Sequence, residues 1–509
     1  MTFYVTTPIY YVNDVPHIGH AYTTVIADVL HRYHKLFGDD SFFLTGTDEH
    51  GQKVQAAAEK RGLSPQAHCD ELCVRFQEAW EDLNIQHDVF MRTTYPYHAK
   101  VVQECLQELF EKGDIYAHEY EGWYSVSEEI FYTEKDLVDG KSPMGKEVTK
   151  ISEKNYFFKM SRYQEALIAY IEQHPQFIQP DGKRSEVLGF LRQPLQDLCI
   201  SRPKARLSWG IEIPFDKDFV TYVWFDALLN YCSAIGLKQG PERQKNFNHY
   251  WPHTVHLLGK DILITHTVYW TTMLMALGLP LPKQIFAHGW WLNEDGGKMS
   301  KSEGKVVSPL DMKNLVGTDP FRYFLIRETV LGNDASFSPH IVVNRINSEL
   351  ANNLGNLFSR ITNLVEKYYD SKKPSEHGLL PQTKSIQELA LTTAHKVQQE
   401  ILNMAPQAAV GAVIDLLSAT NKFIDEIAPW KLVKEDKDKT GECLSVCLEV
   451  LRIAAILLSP VMPEKCASIL SQLGVHGTPQ LADAKVWGRL MDGAEIKKGE
   501  ILFPRITLP

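Results

Sequence analysis

Cysteine is scarce in this sequence of 509 residues, and no two of its eight cysteines form a Cys-x-x-Cys pair. The scattered positions lack the dense spacing of a disulfide framework. We therefore expect free, buried thiols, as is typical of a cytosolic protein.

The sequence also shows no pattern typical of a signal peptide or of a transmembrane helix. The most apolar late stretch, residues 450–462, contains Arg452 and Pro460 and is too short to span a bilayer. Residues 1–12 have no basic region and no small-residue cleavage site, so we expect no signal peptide. The pattern predicts a cytoplasmic protein without a membrane partner.

Positive charge is not in excess, since the formal net charge is -10 at pH 7. This balance counts against a simple basic nucleic-acid binder. If RNA is a partner, local basic patches on an acidic body must hold it. The length is sufficient for several domains and a sizeable core.

The most informative stretch that is present is Pro16-His17-Ile18-Gly19-His20, between an apolar run at residues 3–7 and a periodic segment at 21–37. These patterns predict a buried strand and an amphipathic helix. A further apolar run at residues 42–44 completes the strand–loop–helix–strand start of a parallel sheet.

The two histidines are therefore expected at the N-terminus of a helix and the carboxyl end of a strand, where phosphates bind. His17 and His20 would donate hydrogen bonds to phosphate oxygens, and Gly19 would let a base lie against the backbone. Taken alone, the motif also fits a helix start with one capping histidine.

A second stretch, Lys298-Met299-Ser300-Lys301-Ser302, is flanked by Gly296, Gly297 and Gly304. Flanking glycines suit a mobile lid that closes on a triphosphate. Lys298 and Lys301 would meet the β- and γ-phosphates as charge builds on the leaving pyrophosphate. With the histidine motif, in this order, the stretch resembles the signature of class I aminoacyl-tRNA synthetases.

Residues 7–13 (TPIYYVN) and 45–51 (TGTDEHG) are similar to the methionyl-tRNA synthetase family in particular. The resemblance covers essentially the whole chain and implies the bacterial type that lacks the zinc-knuckle cysteines and the C-terminal tRNA-binding domain. It implies a methionine pocket formed by Ile9, Tyr11, Asp48, Trp224, Ala227, Leu228, Tyr231, Ile262 and His266.

The chemistry of these residue types suits methionine. Asp48 would hold the α-ammonium through a charge-assisted hydrogen bond, and apolar and aromatic walls suit a thioether. Residues 224, 227, 228 and 231 share one helical face, which by periodicity alone also fits a core. His266 also fits a hydrogen-bonded core histidine, and Asp48 fits a loop cap.

ATP binding is assigned in part by position and in part by resemblance. Asp261 follows an apolar run at residues 255–258, where acidic residues accept from ribose hydroxyls. The expected ATP site, with Mg²⁺ as part of the substrate complex, consists of His17, Gly19, His20, Gly259, Asp261, Lys298 and Lys301. The catalytic residues among these would be His17, His20, Lys298 and Lys301.

The predicted fold class is α/β, a Rossmann-like parallel-sheet catalytic domain with a connective insertion, followed by an all-α anticodon-binding bundle. We expect the catalytic domain at 1–115 and 221–292, the insertion at 116–220, the lysine loop with a stem-contact region at 293–345, and the bundle at 346–509. Many relatives carry a zinc knuckle in the insertion. Ser125 and Glu128 stand where its first cysteine pair would lie, and residues 141–145 offer no thiolate or imidazole, so we expect no structural zinc.

Within the bundle, Asn356 and Arg360 are one turn apart, and Pro429-Trp430 is expected to end a helix. Single-stranded bases are read by stacking and by hydrogen bonds to their edges. By resemblance, Asn356, Arg360 and Trp430 would recognise the anticodon of tRNA(Met), including the initiator. Trp430 also fits a bundle-core aromatic. Because the C-terminal domain of many relatives is absent here, we expect a monomer.

The sequence thus predicts a methionine–tRNA ligase of class I. Three alternatives stay open at this point: a class I synthetase for another small or apolar amino acid, a nucleotidylyltransferase without tRNA, and a non-catalytic RNA-binding paralogue. Trp224 with His266 favours methionine over the first. The helical region disfavours the second, and the retained histidines and lysines disfavour the third.

Overall fold

A computed structural model describes residues 1–125, 130–132, 134–293, 296–297 and 308–508. The strands are, in chain order, β1 (Thr2–Thr6), β2 (Tyr10–Tyr11), β3 (Asp40–Asp48), β4 (Val89–Arg92), β5 (Ile115–Ser125), β6 (Ile130–Tyr132), β7 (Thr149–Phe158), β8 (Ile178–Gln179), β9 (Leu198–Cys199), β10 (Ser201–Pro203), β11 (Glu212–Ile213), β12 (Asp216–Thr221), β13 (Thr254–Gly259), β14 (Gln284–His288), β15 (Trp291–Leu292) and β16 (Ala335–Ser336).

The α-helices are α1 (Ile18–Leu36), α2 (Gln52–Lys60), α3 (Pro65–Asp82), α4 (Pro96–Glu111), α5 (Gln164–Gln173), α6 (Asp181–Phe190), α7 (Val223–Leu228), α8 (Asn230–Ser233), α9 (Pro241–Tyr250), α10 (Trp270–Ala276), α11 (Pro309–Val316), α12 (Thr318–Arg327), α13 (Pro339–Arg345), α14 (Asn356–Tyr369), α15 (Thr383–Leu402), α16 (Pro406–Ile427), α17 (Pro429–Leu432), α18 (Lys437–Leu458), α19 (Pro463–Gln472) and α20 (Leu481–Ala484). Two π-helical segments, Thr265–Tyr269 and Ile346–Gly355, lead directly into α10 and α14.

A seven-stranded parallel sheet organises the first half of the chain. Its order is β2-β3-β1-β13-β14-β8, and β4 also pairs with β3. In the centre, Val5 lies opposite Phe43 on one side and Val255 on the other. All three are buried, as expected for parallel strands covered on both faces. The predicted Rossmann-like sheet is confirmed.

Helix α1 begins at Ile18, three residues before the predicted start, because the His17 side chain caps it. Fifteen of its nineteen residues are buried, so the apolar pattern of a surface helix underestimates how deeply α1 lies. Its N-terminus follows β2 and points into the edge of the sheet where the strands end. This arrangement places the histidine motif as predicted.

The segment predicted as an insertion contains two antiparallel sheets, one of order β6-β5-β7-β9 and one of order β10-β12-β11. Strand β8 from the same segment is the edge strand of the parallel sheet, where it pairs with β14. Ser125 ends β5, and Glu128 lies outside the described residues. Among the described residues, no group of three or more His, Cys, Asp or Glu side chains is arranged to hold a metal ion.

The last third of the described chain is helical, as predicted. The apolar residues of 444–473 follow one helical period, but this range belongs to two helices, α18 and α19, which are separated at Pro460 and Pro463. Pro429 and Trp430 do not end a helix; they begin α17 after α16 has ended at Ile427.

All eight cysteines lie in the described part of the chain, and each is buried and free, as predicted. Within the same residues, no helix has both the length and the apolarity that crossing a bilayer requires.

Asp319, in the first turn of α12, gives the fold a testable dependence on pH. Its carboxylate accepts from the Lys465 N–H at 2.6 Å, and burial raises its pKa to about 6. The folded state therefore holds this proton more tightly than the unfolded chain, so stability falls as pH rises from about 4 to 6. An asparagine also accepts from Lys465 but carries no charge. From pH 5 to pH 7.5, the free energy of unfolding of Asp319→Asn should rise by roughly 1.4 kcal/mol relative to that of the wild type, as measured by urea unfolding. A difference between the two proteins that does not change with pH would contradict this.

Candidate active site

One cavity of about 520 Å³ lies at the carboxyl edge of the parallel sheet. The ends of β3, β13 and β14 contribute Asp48, Gly259 and His288 to its lining. Ligands bind at this edge in open α/β sheets. The structure brings all predicted cavity residues of the described chain together here: Ile9, Tyr11, His17, Gly19, His20, Asp48, Trp224, Ala227, Leu228, Tyr231, Gly259, Asp261, Ile262 and His266.

The two motif histidines stack on each other at the start of α1, with 3.7 Å between ring centroids. The Gly19 N–H donates to His17 Nδ1 at 3.1 Å, and the His17 N–H donates to His20 Nδ1 at 3.4 Å. Because Nδ1 accepts in each ring, the proton of the neutral imidazole lies on Nε2. The pair therefore offers two Nε2–H donors at a helix N-terminus, a site suited to phosphate.

Glycine is required where the backbone approaches an acidic side chain. A Cβ on Gly259 would lie 2.6 Å from Asp261 Oδ1, so a larger residue would displace this carboxylate. Trp290 Nε1 donates to the same oxygen at 3.3 Å. Lys260 lies 4.2 Å from the Trp290 ring centroid and pairs with Asp334 at 2.6 Å. The result is a fixed carboxylate beside an indole, which suits a ribose and its base.

Another part of the cavity joins a buried carboxylate to aromatic side chains. Asp48, the last residue of β3, is 2% exposed and lies opposite Tyr11 in the strand register. The Tyr11 ring meets the Trp224 ring edge to face at 6.4 Å. A carboxylate next to such walls suits a ligand with one cationic group and an apolar side chain.

His266 lines the cavity and is also fully hydrogen-bonded. Its Nδ1–H donates to the Ile262 carbonyl at 3.0 Å, so Nε2 accepts from the Tyr231 hydroxyl at 2.8 Å. Burial lowers the pKa of His266 to about 4, so the ring is neutral at pH 7. His266 is thus a hydrogen-bonded buried histidine that also lines the cavity, and its contact with methionine stays a prediction.

Several lining residues were not predicted: His288 at the end of β14, Gly289, Trp290 and Trp291 after it, and Tyr22 and Thr23 on α1. The first four end or follow a buried strand that neighbours β13. The rule that strand ends share one edge would have indicated them, once residues 284–288 were recognised as a strand.

The predicted base-recognition residues lie in the helical region, outside the cavity lining. Arg360 stacks on Trp430, with its guanidinium carbon 5.0 Å from the ring, and pairs with Asp425 at 2.7 Å. Trp430 is 36% exposed and is therefore not a core aromatic. Asn356 is exposed one turn before Arg360 on α14. Lys298 and Lys301 lie outside the described residues.

Two family models match the chain. The one described as class I tRNA synthetases (M) matches residues 3–150 and 133–362. The one described as the anticodon binding domain of methionyl tRNA ligase matches residues 379–508.

Two methionine--tRNA ligases are similar to this chain over 99–100% of its length. Methionine--tRNA ligase of Caldanaerobacter subterraneus subsp. tengcongensis is 45% identical over 517 residues, which cover 100% of this chain and 79% of the relative. That of Bacillus subtilis is 44% identical and covers 99% of this chain and 78% of the relative.

Solved structures agree with the sequence comparisons. Mycobacterium tuberculosis methionyl-tRNA synthetase in complex with methionyl-adenylate has a TM-score of 0.94 at 38% identity, covering 99% of this chain and 100% of that one. On the match of both family models and on these identities, the chain belongs to the methionyl-tRNA synthetase family of class I aminoacyl-tRNA ligases.

Proposed function

We propose that this chain activates methionine with ATP and then transfers the methionyl group to tRNA(Met), including the initiator. The observation that carries the proposal is one cavity with two kinds of surface. The stacked pair His17 and His20 offers donors at a helix N-terminus, and Asp48 lies beside an uncharged aromatic wall. The first surface suits the phosphates of ATP, and the second suits the ammonium and thioether of methionine.

In the first step the methionine carboxylate oxygen attacks the α-phosphorus of ATP. The new P–O bond forms as the bond to the β-phosphate breaks, and pyrophosphate leaves with the electron pair. His17 and His20 donate to the phosphate oxygens as this charge develops, and Asp261 holds the ribose. Lys298 and Lys301 would stabilise the leaving group, and Mg²⁺ enters with ATP as its substrate complex. Positioning and electrostatics supply the catalysis, since no side chain acts as a nucleophile.

In the second step a hydroxyl of the terminal adenosine of tRNA attacks the methionyl carbonyl, and AMP leaves. Membership of class I implies the 2′-hydroxyl. Selection of methionine depends on the fit of the cavity wall, and one missing methylene is worth only about 1–3 kcal/mol. We therefore expect measurable activation of homocysteine.

The test of the proposed activity is ATP–pyrophosphate exchange with each of the twenty amino acids. Exchange with methionine alone would support the proposal. Exchange with a different amino acid would indicate a class I synthetase for that amino acid and would contradict the predicted methionine pocket. If the folded protein shows exchange with none of the twenty amino acids and fails to charge tRNA(Met), a nucleotidylyltransferase or a non-catalytic RNA-binding protein would be favoured instead.

Three finer points belong to the same proposal. Ser125 and residues 141–145 provide no zinc ligands, so we propose a knuckle without zinc. Chelator treatment, followed by removal of the chelator and assay with Mg²⁺, should leave exchange unchanged. We also propose a monomer that acts in the cytoplasm. Sedimentation equilibrium at micromolar concentration tests the oligomeric state, and a dimer mass would contradict the proposed monomer.

Trp430→Ala tests the proposed recognition of the anticodon. Because base stacking on an aromatic is worth about 1–3 kcal/mol, kcat/KM for tRNA(Met) should fall roughly 10- to 100-fold. Methionine-dependent exchange should not change, since Trp430 is outside the cavity lining. Trp430→Phe keeps a stacking surface and is the matched control. A loss of exchange in the alanine variant would mean that Trp430 is needed for the fold.

A further inference from the structure

A buried histidine–aspartate–histidine cluster lies behind the wall of the cavity. Asp226 accepts from His50 Nδ1 at 2.6 Å and from His98 Nε2 at 2.8 Å, one bond to each carboxylate oxygen. The other nitrogen of His98 lies 2.8 Å from Ser233 Oγ. Asp226 and His98 are fully buried, and His50 is 7% exposed. None of these four residues, all in the described chain, lines the cavity.

The cluster connects the elements that carry the cavity residues. His50 follows Asp48 by two positions at the end of β3. Asp226 lies in α7, which presents Trp224, Ala227 and Leu228 to the cavity. Ser233 lies in α8 with the cavity residue Tyr231. A single carboxylate therefore joins the loop after Asp48 to the helix that forms the opposite wall.

We propose that Asp226 is a positioning residue that fixes the distance between Asp48 and the α7 wall, and thereby sets affinity and selectivity for the amino acid. This inference rests on the proposed function of the cavity. Hydrogen bonds to a buried carboxylate are short and directional, so they define a position rather than merely fill space. Burial alone would raise the pKa of Asp226, but the contacts with His50 and His98 hold it below its usual value.

Asp226→Asn is the first test, because the side chain keeps its size but loses its charge and one acceptor. Loss of one hydrogen bond to a charged group changes an equilibrium roughly tenfold or more, so we expect KM for methionine to rise about tenfold. KM for ATP should stay within about twofold of wild type, since the cluster does not contact the histidine end of the cavity. The preference for methionine over homocysteine should fall severalfold, because that preference depends on the fit of the wall.

Variants of His50 separate positioning from a general loss of structure. His50→Ala removes the donor and should raise KM for methionine as Asp226→Asn does. His50→Asn places an amide N–H near the position of Nδ1 and should restore KM to within a few-fold of wild type. Because both changes break one contact, the double variant His50→Ala with Asp226→Asn should be no worse than either single variant.

Asp114→Asn is the matched control. Asp114 is also a buried aspartate, bonded to Arg162 and Tyr163 at 2.9 and 2.8 Å, but it lies in a part of the chain that does not line the cavity. It should alter thermal stability without changing KM for methionine.

Two results would overturn the inference. One is an unchanged KM for methionine in Asp226→Asn or His50→Ala with only kcat or stability reduced. The other is an equal rise in both KM values. The wild type is assayed first: absence of methionine-dependent exchange there would refute the proposed function, whereas wild-type exchange with unaffected variants would refute only the role of Asp226.

Discussion

His17→Asn is expected to lower the rate of methionyl-adenylate formation about 100- to 1,000-fold, the loss typical when one donor to a developing charge is removed. His17 has one role that the structure shows and one that we propose, and this substitution separates them. Its Nδ1 caps α1 by accepting from the Gly19 N–H, and its Nε2–H is the proposed phosphate donor. Asparagine is a favoured N-cap residue, so it preserves the first function and loses the second.

The measurement is single-turnover adenylate formation at saturating methionine, with thermal unfolding recorded beside it. His17→Asn should unfold at nearly the wild-type temperature, whereas His17→Ala should also lose about 1 kcal/mol of helix capping. KM for methionine should change little in both variants. If His17→Asn forms the adenylate at the wild-type rate, His17 is only a capping residue, which is the other interpretation that the motif allowed.

Sequence patterns located the sheet and the start of α1 well because these depend on local features. A buried apolar run, a helical period and the histidine at the cap are all visible within 40 residues. The methionine pocket was predicted from the family resemblance, because its residues are as far apart in sequence as Ile9 and His266. The structure brings them together in one cavity. Their roles stay predictions that the variants above test.

Other parts of the structure have a weaker local signal or none. Helix α15 buries an apolar stripe at helical spacing, but two of its residues are alanines, and Leu389 and Leu402 are exposed, so the stripe stands out little in the sequence; its residues are Ile386, Ala390, Ala394, Val397 and Ile401. The cluster around Asp226 joins residues 128 and 176 positions apart, and no periodicity relates them. Such contacts depend on the tertiary fold, and therefore only the structure reveals them.

Arg322→Met should lower the free energy of unfolding by about 3–5 kcal/mol, the range for breaking a buried ion pair. Arg322 in α12 and Asp28 in α1 are both fully buried, with 2.6 Å between Nη2 and Oδ2. The guanidinium also donates to the Leu83 and Val461 carbonyls at 3.0 Å each. Methionine fills similar space but leaves the Asp28 carboxylate with Arg32 as its remaining cationic partner.

The pH dependence of this loss has a defined sign. Burial alone would raise the pKa of Asp28, but Arg322, Arg32 and the Gln86 N–H hold it below its usual value. A lowered pKa contributes stability above about pH 4 that is lost as pH falls through the folded value. Removing Arg322 raises the pKa of Asp28. The difference in free energy of unfolding between wild type and variant should therefore be larger at pH 7 than at pH 4.5.

Two further variants show whether charge, rather than packing, accounts for the loss. Arg327→Met on the same helix breaks a partly exposed pair with Glu349 and should lose under about 1 kcal/mol. Adding Asp28→Asn to Arg322→Met removes the uncompensated buried charge, so the double variant should be more stable than Arg322→Met alone. Urea unfolding of the four proteins at pH 7 makes the comparison. If the double variant is instead less stable than Arg322→Met, Asp28 stabilises α1 without its partner. The loss must then come from the carbonyl contacts of Arg322, which join the segment after α3 to the segment between α18 and α19.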